Sequence, residues 1–183
     1  MQKKKIKSVT SRKSPLKKRN SNKSFTVVGI GGSAGGLEAF TKFIENLSPS
    51  LGMAYIFIPH LSPDFKSMIP EILENKTSMK IFQVKNKMKI LQNNVYVIPP
   101  GNYMNLVNGV FELIPRIKRN GIFYSIDYFF SSLASSYQNK AIGIILSGTA
   151  TDGTLGLKAI KANGGITFAQ DESAKYEGMP KSA

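Results

Sequence analysis

The sequence predicts an α/β fold: a doubly wound, mostly parallel three-layer sheet with a small antiparallel hairpin. At both ends of the chain, apolar runs rich in β-branched residues alternate with segments of helical periodicity. That alternation is typical of parallel sheets covered by helices on both faces. Residues 79–115 instead contain short apolar pieces separated by Asn-Asn, Pro-Pro-Gly and Asn-Gly, which indicates short strands, some of them antiparallel.

The first half of the chain contains two predicted strand–helix units. FTVVGI (25–30) predicts a buried parallel strand. LEAFTKFIENL (37–47) has its apolar residues at helical spacing and predicts a helix that stops before a Ser-Pro pair. MAYIFIPH (53–60) predicts the second strand, and FKSMIPEILENKT (65–77) predicts a helix entered or interrupted near Pro70.

The second half begins with a hairpin and returns to the strand–helix pattern. Val107-Asn108-Gly109-Val110 has Asn-Gly at its centre, the pair that two-residue hairpin turns favour. Four further elements are predicted: a helix at IDYFFSSLASSYQ (126–138) with Ser125 or Asp127 near its start, a strand at AIGIILSG (141–148), a turn and helix at TDGTLGLKAIKANGG (151–165), and a strand at ITFAQD (166–171).

Composition restricts the class of protein. The chain has 183 residues, of which 42% are hydrophobic, and this suits one domain with its own core. It contains no cysteine and one histidine, so a disulfide framework and a structural zinc site are not expected. No apolar run approaches the roughly 18 residues of a membrane span. We expect a cytoplasmic protein that does not insert into membranes and needs no metal.

The positive charge is concentrated in one segment. The chain has 25 Lys and Arg residues against 11 Asp and Glu, and residues 1–24 hold ten of the basic residues and none of the acidic ones. The remainder therefore has fifteen basic and eleven acidic residues, a net charge of +4. We expect a basic, disordered tail over 1–24 and a folded domain over 25–183, and nucleic acid is not the expected partner.

The stretch VVGIGGSAGG (27–36) satisfies two motifs of different function. Gly29, Gly31 and Ala34 fit the GxGxxG/A phosphate loop, whereas Gly31, Ser33 and Gly35 fit the GxSxG nucleophile turn. A dinucleotide site would need a carboxylate roughly 20 residues further on, near the end of the second strand. That strand ends in Ile-Pro-His instead, so dinucleotide binding is disfavoured.

Three polar residues follow three predicted parallel strands. Ser33 follows the first strand, His60 ends the second, and Asp152 lies a few residues after 141–148. The carboxyl ends of parallel strands share one edge of the sheet, where functional loops collect. A serine needs an imidazole to remove its proton, and a carboxylate to orient that imidazole. The sequence therefore predicts a Ser–His–Asp hydrolase site.

The blocks VVGIGGSAGGLEAF, IPHLSPDF, VYVIPPGNYM, SIDYFFSSLA, AIGIILSGTATDGTLGLKAIKANGG and AQDESAKYEGMPKSA occur in this order from about Phe25 to the end. Together they resemble the chemotaxis protein-glutamate methylesterases of the CheB type. Several blocks are most similar to the methylesterase domain that opens methylesterase/methyltransferase fusion proteins. Members of this family hydrolyse γ-glutamyl methyl esters on the cytoplasmic helices of chemoreceptors and release methanol, and some also deamidate receptor glutamines.

The resemblance implies a role for each site residue. Ser33 would be the nucleophile, His60 the general base and Asp152 the orienting carboxylate. Backbone N–H groups near Ser33 (Gly32, Ala34) and at Thr149 would bind the oxyanion. No cofactor is implied.

The resemblance also implies partners and a domain boundary. The substrate would be a methylated chemoreceptor or a related signalling protein, and a methyltransferase module would act in the same pathway. Members of the family continue through another helix and a short strand, so we expect that 25–183 is either a fragment of a longer protein or a domain truncated at its C-terminus. The alternative belongs to a different functional class: the chain would be a catalytically weak or inactive binding module of a chemosensory signalling complex.

Overall fold

A computed structural model of the protein describes residues 25–62, 67–116 and 124–183. The predicted tail over 1–24 and the start of the predicted helix 65–77 lie outside these ranges. Within them, no helix is long and apolar enough to cross a membrane.

Strands and helices alternate as the sequence predicts, with four consecutive strands in the middle of the chain. The strands are β1 (Val27–Gly32), β2 (Ala54–Pro59), β3 (Lys80–Gln83), β4 (Asn94–Val97), β5 (Asn102–Val107), β6 (Val110–Pro115), β7 (Ala141–Ile145) and β8 (Ile166–Ala169). The helices are α1 (Gly36–Glu45), α2 (Ile69–Glu74), α3 (Ser125–Tyr137), α4 (Thr154–Ala162) and α5 (Gly178–Ser182), with a 3-10 turn at Gln138–Lys140.

Six strands form one parallel sheet in the order β3-β4-β2-β1-β7-β8. The strand order reverses direction at β1, whose neighbours are β2 and β7, so the sheet is doubly wound. Every residue of β1 and β2 is buried, because helices cover both faces there. The predicted parallel α/β architecture is confirmed.

Two apolar cores lie on the two faces of the sheet and make the fold three-layered. On one face, α1 and α2 pack against β1, β2 and β4, and the rings of Phe40 and Phe57 stack with centroids 4.2 Å apart. On the other face, α3 and α4 pack with the hairpin against the sheet. At one edge of the sheet, β8 leaves the side chains of Ile166 and Phe168 more than half exposed.

The antiparallel part of the fold is the predicted hairpin. β5 and β6 pair in register from Asn102–Pro115 to Val107–Val110, and they form a separate two-stranded sheet. Asn108 and Gly109 at the turn both have positive φ angles, 52° and 76°. A type I′ turn needs positive φ at both central residues, which Asn and Gly tolerate.

Several predicted elements are longer than the observed ones. Strand β7 ends at Ile145 rather than at residue 148, whereas α4 begins at Thr154, after the predicted turn. Residues 146–153 form a loop because Ala150 and Gly153 adopt positive φ angles that end regular structure. Pro70 lies in the first turn of α2, so this proline belongs to the start of the helix and does not interrupt it.

The contact between α3 and α4 depends on the missing side chain of Gly156. A Cβ atom at this position would overlap Cβ of Phe130 on α3. We predict that Gly156→Ala lowers the free energy of unfolding by about 1–3 kcal/mol, because the helices must separate to accept a methyl group. Urea denaturation measures this loss.

The exposed Lys158 on the same helix provides the control, since Lys158→Ala is expected to change the same quantity by less than about 0.5 kcal/mol. Equal stability of Gly156→Ala and the unmodified protein would contradict close helix packing at Gly156.

Candidate active site

Three neighbouring strands bring the predicted triad residues to one rim of the sheet. Gly32, the last residue of β1, pairs with Pro59, the last residue of β2. The register extends one residue further, because the His60 N–H donates to the Gly32 carbonyl at 3.1 Å. On the other side of β1, the loop after β7 carries Asp152. Ser33, His60 and Asp152 therefore follow the carboxyl ends of three adjacent parallel strands.

His60 and Asp152 contact each other directly. His60 Nε2 lies 2.8 Å from Asp152 Oδ2, although 92 positions separate the two residues in the chain. The imidazole retains 28% of its exposure, whereas the carboxylate retains 1%. Since Nε2 is occupied by the carboxylate, Nδ1 is the ring nitrogen left for a further partner.

The Asp152 carboxylate also caps a helix. Its Oδ2 accepts a hydrogen bond from the Ile126 N–H at 3.0 Å, and its Oδ1 accepts one from the Asp127 N–H at 2.9 Å. Both donors lie in the first turn of α3, whose own N-cap residue Tyr124 provides no side-chain cap. A buried carboxylate needs such donors to replace the hydrogen bonds it would make to water. The position of Asp152 is thus fixed by α3.

Ser33 is positioned by its backbone. Its N–H donates to the Ser147 carbonyl at 3.0 Å, and its own carbonyl accepts from the Gly36 N–H at 2.8 Å. Gly35, with φ of +74°, makes the tight turn into α1. Among the described residues, the Ser33 hydroxyl makes no hydrogen bond to His60, whose ring bonds to Asp152. Nucleophile–base hydrogen bonds are often long without substrate and tighten when it binds.

Of the three residues predicted to bind the oxyanion, two adjoin Ser33 in the chain and the third lies in the loop after β7. Gly32 and Ala34 flank it, and their carbonyl groups accept hydrogen bonds from His60 N–H and the Ser147 hydroxyl. Thr149 is exposed in the loop after β7. The preceding residue Gly148 packs against Ser33, because a Cβ atom on Gly148 would lie 3.0 Å from Ser33 Cβ. An oxyanion role for Gly32, Ala34 and Thr149 remains a prediction.

Ser147 is a site residue that the sequence analysis missed. It is 1% exposed, and its hydroxyl donates to the Ala34 carbonyl at 2.8 Å and accepts from the Tyr176 N–H at 2.9 Å. Its own N–H donates to Gln170 Oε1 at 2.9 Å. Ser147 therefore connects the turn of Ser33 to the segment after β8. The available signal was a hydroxyl residue directly after a continuous apolar strand.

A second missed residue is Asp127, which the sequence only placed near the start of a predicted helix. Its Oδ1 accepts a hydrogen bond from the Gly156 N–H of α4 at 2.6 Å. Burial raises the pKa of Asp127, and the nearby charge of Asp152 raises it further, while backbone N–H groups of α4 oppose the rise. The carboxyl group of Asp127, a residue of α3, therefore connects α3 to the first turn of α4.

The arrangement is suited to acyl transfer. It provides a hydroxyl at a strand-to-helix turn, a neighbouring imidazole and a buried carboxylate that orients the imidazole. No group of three or more His, Cys, Asp or Glu side chains in the described part of the chain could hold a metal ion.

Comparison with known proteins agrees with this chemistry. The family model described as "CheB methylesterase" matches residues 28–183. A protein of Leptospira interrogans named as a protein-glutamate methylesterase/protein-glutamine glutaminase is 34% identical over 163 residues, which cover 87% of this chain and 84% of that protein. The crystal structure of the Thermotoga maritima CheB methylesterase catalytic domain superimposes with a TM-score of 0.81 at 28% identity, covering 87% of each chain.

Other relatives are much longer than this chain. A 104.1 kDa protein of Rhodobacter capsulatus is 37% identical over 113 residues, which are 61% of this chain and 12% of that protein. Relatives from Burkholderia lata and Myxococcus xanthus, both named as protein-glutamate methylesterases, are matched over 47% and 48% of their length. The chain thus spans about half the length of several curated relatives.

Removal of the Asp152 carboxylate is expected to destabilise the fold. We predict that Asp152→Ala lowers the free energy of unfolding by about 1–3 kcal/mol, because two N–H groups of α3 lose their buried acceptor. Urea denaturation tests this. Asp171→Ala is the matched control, since that exposed carboxylate accepts a hydrogen bond from the nearby Ser173 N–H and caps no helix, so its removal should matter much less. Equal losses for both variants would contradict a structural role of Asp152.

Proposed function

Because the chain belongs to the CheB methylesterase family, we propose that it hydrolyses γ-glutamyl methyl esters on the cytoplasmic helices of chemoreceptors, forming glutamate and methanol. The observation that carries the proposal is the 2.8 Å contact between His60 and Asp152 beside the turn of Ser33. A serine, an imidazole and a carboxylate that orients the imidazole are the groups that serine hydrolysis of an ester uses, and this supports the proposal.

In the first half of the proposed reaction, Ser33 Oγ attacks the ester carbonyl while His60 Nδ1 takes its proton. The carbonyl oxygen becomes an oxyanion, and backbone N–H groups near Ser33 and at Thr149 stabilise it. The tetrahedral intermediate collapses by breaking the bond to the methoxy group. His60 returns the proton to that oxygen, methanol leaves, and the glutamyl group remains esterified to Ser33.

In the second half, water replaces methanol. His60 Nδ1 removes a proton from the water, whose oxygen attacks the acyl group, and the Ser33–acyl bond then breaks with return of the proton to Ser33. Asp152 holds the imidazole through Nε2 and stabilises its cationic form in both halves. The buried position of Asp152 makes this interaction stronger than it would be in water.

The same residues support glutamine deamidation, in which ammonia leaves in place of methanol. The name of the Leptospira interrogans relative includes protein-glutamine glutaminase, and this supports the second activity. Neither reaction needs a metal or an organic cofactor, because acyl transfer to serine and then to water supplies every bond change. The proposed setting is the cytoplasm, where the receptor helices lie, with a methyltransferase module in the same pathway.

The alternative of an inactive binding module is not favoured. The relatives carry enzyme names, and the serine, histidine and aspartate expected of a hydrolase are all present at one rim of the sheet. A docking protein could use the buried carboxylate to cap α3, but it would have no need for an imidazole bonded to that carboxylate.

Replacement of the nucleophile provides the direct test. We predict that Ser33→Ala reduces methanol release from a helical receptor peptide with a γ-glutamyl methyl ester by at least about 10³-fold, because no acyl-enzyme can form. The variant should also resist labelling by a fluorophosphonate. Ser50→Ala, in an exposed loop, should react like the unmodified protein. Methanol release that survives in Ser33→Ala would exclude this serine as the nucleophile.

Ser147 is expected to support turnover by holding the turn that follows Ser33. We predict that Ser147→Ala lowers kcat about tenfold with little change in KM, because the turn after Ser33 loses its hydrogen bond at the Ala34 carbonyl. Steady-state methanol release gives both constants, with Ser50→Ala again as the control. An unchanged kcat in a folded Ser147→Ala protein would show that the hydroxyl does not position Ser33.

A further inference from the structure

We propose that Asp127 is a positioning residue of the active site: it holds the start of α4 and thereby fixes the loop that presents Asp152 to His60. The proposal rests on the proposed function for its catalytic consequence. Its structural part stands on contacts between α3, α4 and the loop 146–153.

Asp127 caps α4 from outside that helix. Its Oδ1 accepts the Gly156 N–H at 2.6 Å. The backbone N–H groups of Gly153 and Leu155 also act to lower the pKa of this carboxyl group. These donors lie at the N-terminus of α4, where N–H groups have no partner within a helix. The N-cap residue of α4 is Gly153, which has no side chain to supply a cap. Asp127 therefore does what Ser, Asp or Asn does at an ordinary N-cap.

Asp152 caps α3 in return, so the two helices exchange caps. The N–H of Asp127 is itself one of the two donors to the Asp152 carboxylate. Asp152 directly precedes Gly153, the residue where α4 starts. A displacement of the α4 terminus would therefore move Asp152 relative to α3, and with it the oxygen that contacts His60 Nε2. The reciprocal caps restrict that displacement.

The negative charge of Asp127 lowers the stability of the folded state, which an uncharged cap would not do. Burial and the neighbouring Asp152 charge raise the pKa of Asp127, so the folded state binds a proton at this carboxyl more tightly than the unfolded chain does. The ionised form consequently weakens the fold, and this effect fades as the pH falls through the raised pKa. An asparagine would keep an oxygen acceptor for Gly156 without the charge. Asp127→Asn thus separates position from charge.

The groove beside Asp127 supplies a matched control. Asp127 lines an open groove of about 830 Å³ between α3, α4 and β5. Ser135 lines the same groove two turns further along α3, and its hydroxyl bonds only to the Ser131 carbonyl within the helix. Ser135→Ala changes the same helix and the same groove without touching α4.

The first readout is kinetic. Asp127→Ala should lower kcat for methanol release by about tenfold or more with KM changed less than about twofold, because a carboxylate displaced by a fraction of an ångström no longer orients His60. Asp127→Asn should lie between this variant and the unmodified protein, since it keeps one acceptor. Ser135→Ala should be unchanged in both constants.

The second readout is nuclear magnetic resonance of the single histidine. With one histidine in the chain, the ring 15N and N–H proton signals report directly on His60. The unmodified protein should show the tautomer protonated at Nε2 with a strongly downfield proton bonded to Asp152. Asp127→Ala should lose or broaden that signal, and Ser135→Ala should retain it. This readout needs no substrate, so it tests the positioning role even if the unmodified protein hydrolyses no methyl ester.

An Asp127→Ala protein that is folded by circular dichroism and keeps the downfield His60 signal overturns the proposal, whatever its kcat. If Asp127→Ala does not fold, Asp127→Asn decides by the His60 signal. A weakened signal supports the proposal, and an unchanged signal overturns it.

Discussion

The parallel pairing of β2, β1 and β7 is the constraint on which the candidate site depends. Parallel strands end at the same rim, and the register between Gly32 and Pro59 sets Ser33 beside His60 to within one residue. A shift of the β1–β2 register by one residue would turn the side chains to the opposite faces of the sheet. The register is secure because all side chains of β1 and β2 are buried between two layers of helices. Positions in the site are thus held by the apolar core.

The loop after β7 turns this rim into a site because its polar groups bond to several elements at once. Asp152 contacts His60 and the first turn of α3, whereas Ser147 contacts the turn after Ser33 and the segment after β8. Each buried polar group here has partners from distant segments, which raises the cost of any rearrangement. The loop is irregular in backbone but constrained by its hydrogen bonds, and such preorganisation is what ester hydrolysis requires.

Close helix packing allows these polar contacts to be short. Gly156 lets α4 approach α3 so closely that the Asp127 carboxylate reaches the N-terminus of α4 at 2.6 Å. The apolar contact and the polar contact therefore depend on the same missing side chain. Stability and site geometry are coupled here, since the α3–α4 contact also lies behind the carboxylate that faces His60.

Local patterns in the sequence determined the parallel α/β class, the hairpin turn and the three residues Ser33, His60 and Asp152, because periodicity and strand-end position depend on neighbours in the chain. Tertiary structure alone decided that β7 ends at Ile145 and that Nε2 is the ring nitrogen of His60 that contacts Asp152. It also decided the contacts of Ser147 and Asp127. Hydrogen-bond partners of these groups include residues from 23 to 113 positions away. No local pattern encodes such pairs, since they form only when packing brings the two helices and the loop together.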